Sequence, residues 1–511
     1  MSLKLNILVN YVSQIYVTLI GIVMVPFYVK YMGAEAYGLI GFFAMLQAWF
    51  QLLDMGLTPT MGRETARFNG GASDALSLRR LLRALEGIFI GIAVLGGAAM
   101  MAGSNLIATS WLKVQQLPLA EVQHAIMLMA VIVALRWVCG LYRGAINGFE
   151  RLVWLSGFNV AVATARFVLV IPLFIYIGTS PTDYFRFQLL VAVVELIVLV
   201  IKTYRLLPKL KAGNRTLWKW EPLRGVLKFS LSVAFTSSVW VLVTQTDKLV
   251  LSKLLPLAEY AYFTLAVLVA GGIMVVSGPV SGALMPRMTR LNAEGDEEGL
   301  IRVYRNATQL IAAIAIPTTL ILALFSEQVL WAWTGNADIA QRAAPVLTLY
   351  ALGNGVLALG AFPAYLQFAK GDLKLHVIGN ALFVILLIPA LILSTFHYGV
   401  IGAGYAWFVA NLAYFILWIP LVHRRFFGDF HISWLIRDVG GVAVFAMCAI
   451  SFGYILVNSG GGWPTERLSM ALWIAGLSAL TIGASLMGSS WARARVQRIL
   501  AMNRKPQVFH S

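Results

Sequence analysis

The chain has 511 residues, 59% of them hydrophobic and 12% charged, whereas an average globular protein is roughly 45–50% apolar and about 25% charged. A water-soluble fold this apolar could not cover its own surface, and apolar runs of 20 or more residues recur along the whole length, so a soluble protein is excluded and an all-α polytopic membrane protein is expected. The net charge of +17 would suit a nucleic-acid binder, but its basic residues alternate by side of the apolar runs, and no nucleic-acid partner is expected.

In chain order the runs predict about 14 transmembrane helices: 7–29, 36–58, 84–106, 124–146, 152–178, 184–205, 226–255, 259–284, 306–326, 343–368, 375–396, 400–422, 436–457 and 468–490. A span needs about 20 apolar residues, because in lipid the backbone groups must be satisfied within the segment. The opening "MSLKLNILVN" is followed by no small-residue cleavage pattern, so the first run is expected to be a retained span. The seventh run is long for one span and is expected to be tilted or broken. With the N-terminus in the cytoplasm, the even-numbered connections carry Arg63, Arg67, Arg79, Arg80 and Arg83; Arg151; Lys209, Lys211, Arg215, Lys219 and Arg224; Arg287, Arg290, Arg302 and Arg305; Lys370 and Lys374; Arg424 and Arg425. The tail adds Arg493, Arg495, Arg498, Arg504 and Lys505, whereas the opposite face has little beyond Lys30, Lys113, Arg186, Lys253, Arg342 and Arg467. Both termini are therefore expected in the cytoplasm.

A short phrase is written twice. In "MGRETAR" (61–67) and "MPRMTRL" (285–291), Met61, Arg63 and Thr65 match Met285, Arg287 and Thr289 at an offset of 224. Ala34-Glu35 matches Ala258-Glu259 upstream, and Leu78, Arg80 and Arg83 match Leu300, Arg302 and Arg305 downstream. Two parallel repeats follow: an N-lobe of six helices over 1–210, a cytoplasmic linker over 211–225, a C-lobe of six over 226–425, and two extra helices with a basic tail over 426–511. The lobes are expected to enclose a central cavity that opens alternately to either side. The linker's alternation of basic and apolar residues over 207–225 also suits a surface-lying amphipathic helix.

Charges at membrane depth are costly, so they mark candidate function. The fourth span holds Arg136 and, seven residues on, Arg143, with Gly140, Gly144 and Gly148 in line with Arg136. The fifth adds Arg166 and the sixth Glu195. One reading is a wet cationic cavity in which Arg136, Arg143 and Arg166 grip an anionic head group such as pyrophosphate, bidentately. The other takes the glycines as helix-packing positions, lets Arg143 snorkel to the inner interface, and joins Arg166 and Glu195 in a structural pair. In the seventh span Asp247-Lys248 either faces the cavity or neutralises itself near the outer interface; Asp247 or Glu195 could serve ion coupling. Glu86 and Asp54 lie near helix ends and read as interfacial, and Asn354, His376, Asn380 and Asn411 as interhelical hydrogen-bond partners. Cys139 and Cys448 sit inside apolar runs and offer neither a disulfide framework nor metal spacing, so no metal or cofactor is expected. The outward stretches are short, the longest being 104–123 and 327–342, and no H-E-x-x-H, Walker loop or G-x-S-x-G occurs. The chain is expected not to be an enzyme.

Four stretches, "VPFYVKYMGAEAYGLIGFF" (25–43), "LLDMGLTPTMGRETAR" (52–67), "RGAINGFERLVWLSGFN" (143–159) and "TDKLVLSKLLPLAEYAYFTLA" (246–266), resemble the polysaccharide transport family of Wzx-type flippases. These belong to the multidrug/oligosaccharidyl-lipid/polysaccharide (MOP) exporter superfamily. The resemblance covers roughly 5–425. It implies a bacterial inner-membrane flippase that moves an undecaprenyl-pyrophosphate-linked oligosaccharide from the cytoplasmic to the periplasmic leaflet. It also implies contact with a polysaccharide polymerase and a chain-length regulator. Arg136, Arg143 and Arg166 are the residues that would fill the family's cationic lumen, and Asp247 and Lys248 match its acid-and-base pattern in the seventh helix. Two features depart from the pattern. Twelve helices are usual in this family, and fourteen occur in the related lipid II flippases. Those carry a basic residue in the first helix, and nothing charged lies between Leu5 and Val29 here. A multidrug exporter of the superfamily, a lipid II flippase and a membrane glycan polymerase or ligase remain the alternatives.

Overall fold

The computed structural model describes residues 3–208, 221–275, 277–459, 462–490 and 493. Most of the expected linker over 211–225, with its surface helix, lies outside the described residues, as do Arg495, Arg498, Arg504 and Lys505 of the tail. Among the described residues the fold is all-α, with one isolated bridge between Lys113 and Pro256 and no strand.

The chain divides into two compact units, Met1–Thr264 and Leu265–Ser511. The first holds α1 (Leu3–Met32), α2 (Ala34–Phe50), α3 (Leu57–Asn69), α4 (Ala75–Ala102), α5 (Ser104–Leu106), α6 (Leu119–Gly148), α7 (Leu152–Phe167), α8 (Val170–Tyr176), α9 (Pro181–Leu206), α10 (Glu221–Leu254) and the start of α11 (Leu257–Val275). The second holds the rest of α11, then α12 (Ser277–Ala293), α13 (Glu297–Leu324), α14 (Ser326–Thr334), α15 (Ala337–Lys370), α16 (Lys374–Ala413), α17 (Ile419–Phe427), α18 (Phe430–Trp434), α19 (Gly441–Ser459) and α20 (Arg467–Gly488). Twelve helical stretches among the described residues are long and apolar enough to cross a bilayer. One of them, Lys374–Phe427, turns at Gly399, whose φ of 59° and ψ of −139° suit only glycine. Counting its two parts separately and adding α10 recovers the fourteen predicted helices. α10 runs unbroken for 34 residues, so the long seventh run is not interrupted.

Three local breaks shape the first unit. After α2 the chain turns at Met55 (φ 45°) and Gly56 (φ 70°), both left-handed. The Asp54 carboxylate then accepts from the Thr58 N–H (3.2 Å) and hydroxyl (2.6 Å), which starts α3. The phrase at 61–67 is thus helical, on α3, and its twin lies on α12. Between α7 and α8 the helix is interrupted at Val168 and Leu169. The carbonyls this frees are met by side chains from other helices: Gln188 of α9 donates to the Arg166 carbonyl (2.8 Å) and Tyr28 of α1 to that of Phe167 (2.8 Å). A third break follows α5, where the chain makes a π-helical turn over Ile107–Trp111. Beyond it the Glu35 carboxylate accepts from three successive N–H groups, Gln115 (2.5 Å), Gln116 (2.7 Å) and Leu117 (2.9 Å).

Packing inside each unit follows the same plan. In the first, α6 packs against α3, α4 and α9; in the second, α15 packs against α12, α13 and α16. Under the offset of 224, α15, α12 and α13 are the equivalents of α6, α3 and α4, and α16 spans those of α7–α8 and the start of α9. The second unit also anchors α19 and α20 to α13. Asp438, fully buried, accepts from Arg305 Nε (2.8 Å) and Gln309 Nε2 (2.6 Å), and Ser489 donates to Gln309 Oε1 (3.0 Å). Beside it Tyr304 shares a hydrogen bond with His423 Nε2 (2.7 Å), within a cluster that includes Phe430 and Trp434.

Candidate functional site

The charged side chains of the first unit fall into rungs between α6, α7 and α9. The rungs repeat because the residues recur every seven positions, a spacing that returns to nearly the same helix face about 10.5 Å further along. On α6 these are Arg136 and Arg143; on α9, Gln188, Glu195 and Lys202; on α7, Arg166 and Asn159.

In the first rung Arg136 donates to two neutral amide oxygens, Gln188 Oε1 (2.7 Å) and Gln47 Oε1 of α2 (3.3 Å), and its guanidinium lies over the Phe43 ring at 5.3 Å. Arg166 stands beside it through the Gln188 bridge, with its guanidinium over the neighbouring Phe167 ring. Neither arginine has a carboxylate partner among the described residues, and the Nε of each is buried without a hydrogen-bond partner. In the second rung Arg143 forms an ion pair with Glu195 (2.6 Å) and donates to Asn159 Oδ1. Glu195 is 4% exposed and its Oε2 has no partner. In the third, Lys202 Nζ lies 4.9 Å over the Trp154 ring, and Trp154 stacks on Phe158 with centroids 5.1 Å apart and an 8° angle between rings.

This geometry decides between the alternative readings of several residues and corrects others. Arg143 does not snorkel, because Glu195 and Asn159 hold it. Glu195 pairs with Arg143 rather than Arg166. The three glycines do not line open space. A Cβ on Gly144 would stand 2.5 Å from the Thr58 carbonyl oxygen, and one on Gly148 would strike the Gly62 carbonyl, so α3 packs backbone-to-backbone on α6. Asp247 and Lys248 neutralise each other: Lys248 Nζ lies 3.2 Å from Asp247 Oδ1 and donates to the Thr244 carbonyl (2.6 Å). Glu86 is buried, accepts from the hydroxyls of Tyr142 (3.0 Å) and Tyr204 (2.8 Å), and lies 3.8 Å from the exposed Arg83. Asn354 is an interhelical partner, donating to the Ala270 carbonyl (2.9 Å) and accepting from Trp407 Nε1 (3.0 Å). Asn411 bonds its own helix at Trp407 O, and His376 and Asn380 bond each other four residues apart.

Broken spans and a packing plan repeated in the two units define a polytopic helical membrane protein built on an internal repeat. Its fold is that of the MOP exporter superfamily. The chain is similar to the lipid II flippase MurJ in an inward closed conformation, with a TM-score of 0.72 at 14% identity over 96% of this chain and 100% of that one. It is also similar to an inward-facing multidrug resistance MATE family transporter (TM-score 0.68, 16% identity, 80% and 94% covered). A third similar structure is a MOP superfamily transporter from Pyrococcus furiosus, described as having a binding pocket of reverse polarity (TM-score 0.55, 15% identity, 82% and 94% covered). No curated protein matches the sequence. A family model described as MatE matches residues 233–393, and one described as polysaccharide biosynthesis protein matches residues 3–292. The chain belongs to the polysaccharide biosynthesis protein family.

Proposed function

We propose that the chain is a flippase of the bacterial inner membrane. It moves an undecaprenyl-pyrophosphate-linked oligosaccharide, an O-antigen unit or another surface-polysaccharide repeat, from the cytoplasmic to the periplasmic leaflet by alternating access of its two six-helix repeats. Arg136 and Arg166 receive the pyrophosphate, and Arg143 contributes once Glu195 releases it or shares it. No covalent chemistry is involved. The observation that carries this reading is the pair of guanidinium groups in the first rung, neither of which forms an ion pair with a carboxylate among the described residues, Glu195 acting on both only from the next rung.

A multidrug exporter for cationic compounds is disfavoured by the same two charges. The lipid II flippase reading draws on the likeness to MurJ, which at 14% identity speaks for the fold. The test is complementation of a deletion strain. Arg136→Ala and Arg166→Ala are expected to abolish surface glycan while the lipid-linked precursor accumulates and protein levels hold. Normal surface glycan in both single variants and the double would overturn the proposal. Complementation of a strain depleted of its lipid II flippase would move the substrate to that class.

A further inference from the structure

The second and third rungs carry chemistry that an anion does not need. Glu195 Oε2 is a buried carboxylate oxygen with no donor, a costly state in a low-dielectric interior unless something donates to it. Asn159 Oδ1 is taken by Arg143, which leaves its Nδ2 as a donor with no partner among the described residues. One acceptor and one donor, on two residues that share the Arg143 guanidinium, match a pair of neighbouring sugar hydroxyls. A further turn or so along, Trp154 and Phe158 stack on each other, half-buried, and Lys202 lies over the Trp154 ring. The outer aromatic face of such a stack suits the C–H face of a pyranose. Lys202 belongs to the α9 stripe of Gln188 and Glu195 and touches Trp154 of α7, so the rings lie between α7 and α9 as the other rungs do.

We propose that these two rungs are a saccharide subsite. A sugar near the pyrophosphate takes Glu195 Oε2 and Asn159 Nδ2, and one further along the glycan stacks against the Trp154–Phe158 pair. The inference rests on the flippase reading for its direction, since the anion at the first rung fixes which end of the glycan comes first.

The test uses the full-length protein in lipid nanodiscs and three probes: undecaprenyl pyrophosphate, the glycan-linked lipid purified from a strain lacking this chain, and the free oligosaccharide released from that lipid. Trp154→Ala and Phe158→Ala are expected to weaken the glycan-linked lipid roughly three- to tenfold and to leave undecaprenyl pyrophosphate unchanged. Trp154→Phe keeps a ring and is expected to fall between. Where an alanine variant does not assemble, Trp154→Phe and Phe158→Leu carry the same comparison. Equal weakening of both lipids, or no weakening of either, overturns the subsite; the latter is what a Trp–Lys pair serving only the head-group interface would give. Should wild-type protein bind the free oligosaccharide in a Trp154-dependent way yet ignore undecaprenyl pyrophosphate, the anion reading falls and the subsite stands.

Discussion

The seam between α3 and α6 gives the sharpest prediction, because a single methyl group separates its packing role from a cavity-lining role. An added Cβ meets the Thr58 hydroxyl at 3.3 Å from Gly140 and the Thr58 carbonyl oxygen at 2.5 Å from Gly144. From Gly148 it meets Thr65 Cβ at 2.6 Å and presses on the Gly62 carbonyl. A side-chain hydroxyl can turn away, but a backbone carbonyl inside a helix cannot. Gly140→Ala is therefore expected to be close to neutral. Gly144→Ala and Gly148→Ala force α3 off α6 and are expected to cost about 1–3 kcal/mol each, the usual range for overpacking. Thr58→Ala should not rescue Gly144→Ala, because the obstructing atom belongs to the main chain. Thermal unfolding in nanodiscs, followed by tryptophan fluorescence, reads all four variants. If Gly144→Ala melts like wild type while transport is lost, the glycine face lines the transport path and the packing account fails. The account fails equally if Gly140→Ala is the worst of the three.

Three further outcomes follow from buried charge. Glu195→Ala leaves Arg143 without its counter-ion; breaking a buried pair costs roughly 3–5 kcal/mol, and with Arg143 28% exposed the unfolding measurement should show the lower part of that range or less, while Glu195→Gln keeps an acceptor and loses less. Asp438→Ala strands Arg305 and Gln309 together and should cost about 3–5 kcal/mol, with limited proteolysis releasing α19–α20 before the rest of the second unit; release with the other helices at one temperature would contradict the anchor. Glu35→Gln removes the charge that three successive amides share, and hydrogen exchange over 115–117 should accelerate while α2 stays protected; unchanged exchange would show that the loop is held by other contacts.

How much of this was legible in the sequence depends on the range of the interaction. Spans were legible because lipid demands about 20 apolar residues in a row, a purely local condition. The repeat was legible because a short phrase and its basic neighbours recur in order, and the matching helix packing within the two units is the three-dimensional counterpart. The cations were legible because charge at depth is rare. Their partners were not. Gln47 and Gln188 are neutral and unremarkable in composition, and they matter only because α2 and α9 bring them to Arg136. The seven-residue stripe of Gln188, Glu195 and Lys202 was the one available signal. The glycine spacing was visible, but whether a bare face meets water or another backbone depends on where α3 lies, which the sequence does not state. Asp438 escaped notice because it follows Arg437 at a helix start, where a charged pair ordinarily meets solvent; here it is enclosed by α13 and Ser489.

The order of the rungs carries an electrostatic argument of its own. Insertion scales place an arginine at a helix centre at about 2.5–3.5 kcal/mol, and Arg136 and Arg166 stand close together with no carboxylate in an ion pair with either among the described residues. Gln47 and Gln188 supply amide oxygens to Arg136, which spreads the charge but does not cancel it. The second rung is different: Glu195 neutralises Arg143 and points a spare oxygen at whatever lies alongside. A diphosphate is thus drawn to the first rung more than to the second, whose ion pair carries no net charge, while an uncharged hydroxyl gains at the second by donating to Glu195 Oε2. The ladder therefore sorts a molecule that is anionic at one end and polyhydroxylated at the other, and it does so in one orientation only. Glu195→Gln leaves Arg143 without its counter-charge and keeps an acceptor. It should let inorganic pyrophosphate bind more tightly while leaving the glycan-linked lipid's affinity nearly unchanged, and a variant that weakened both would mean that Glu195 serves only to hold Arg143 in place.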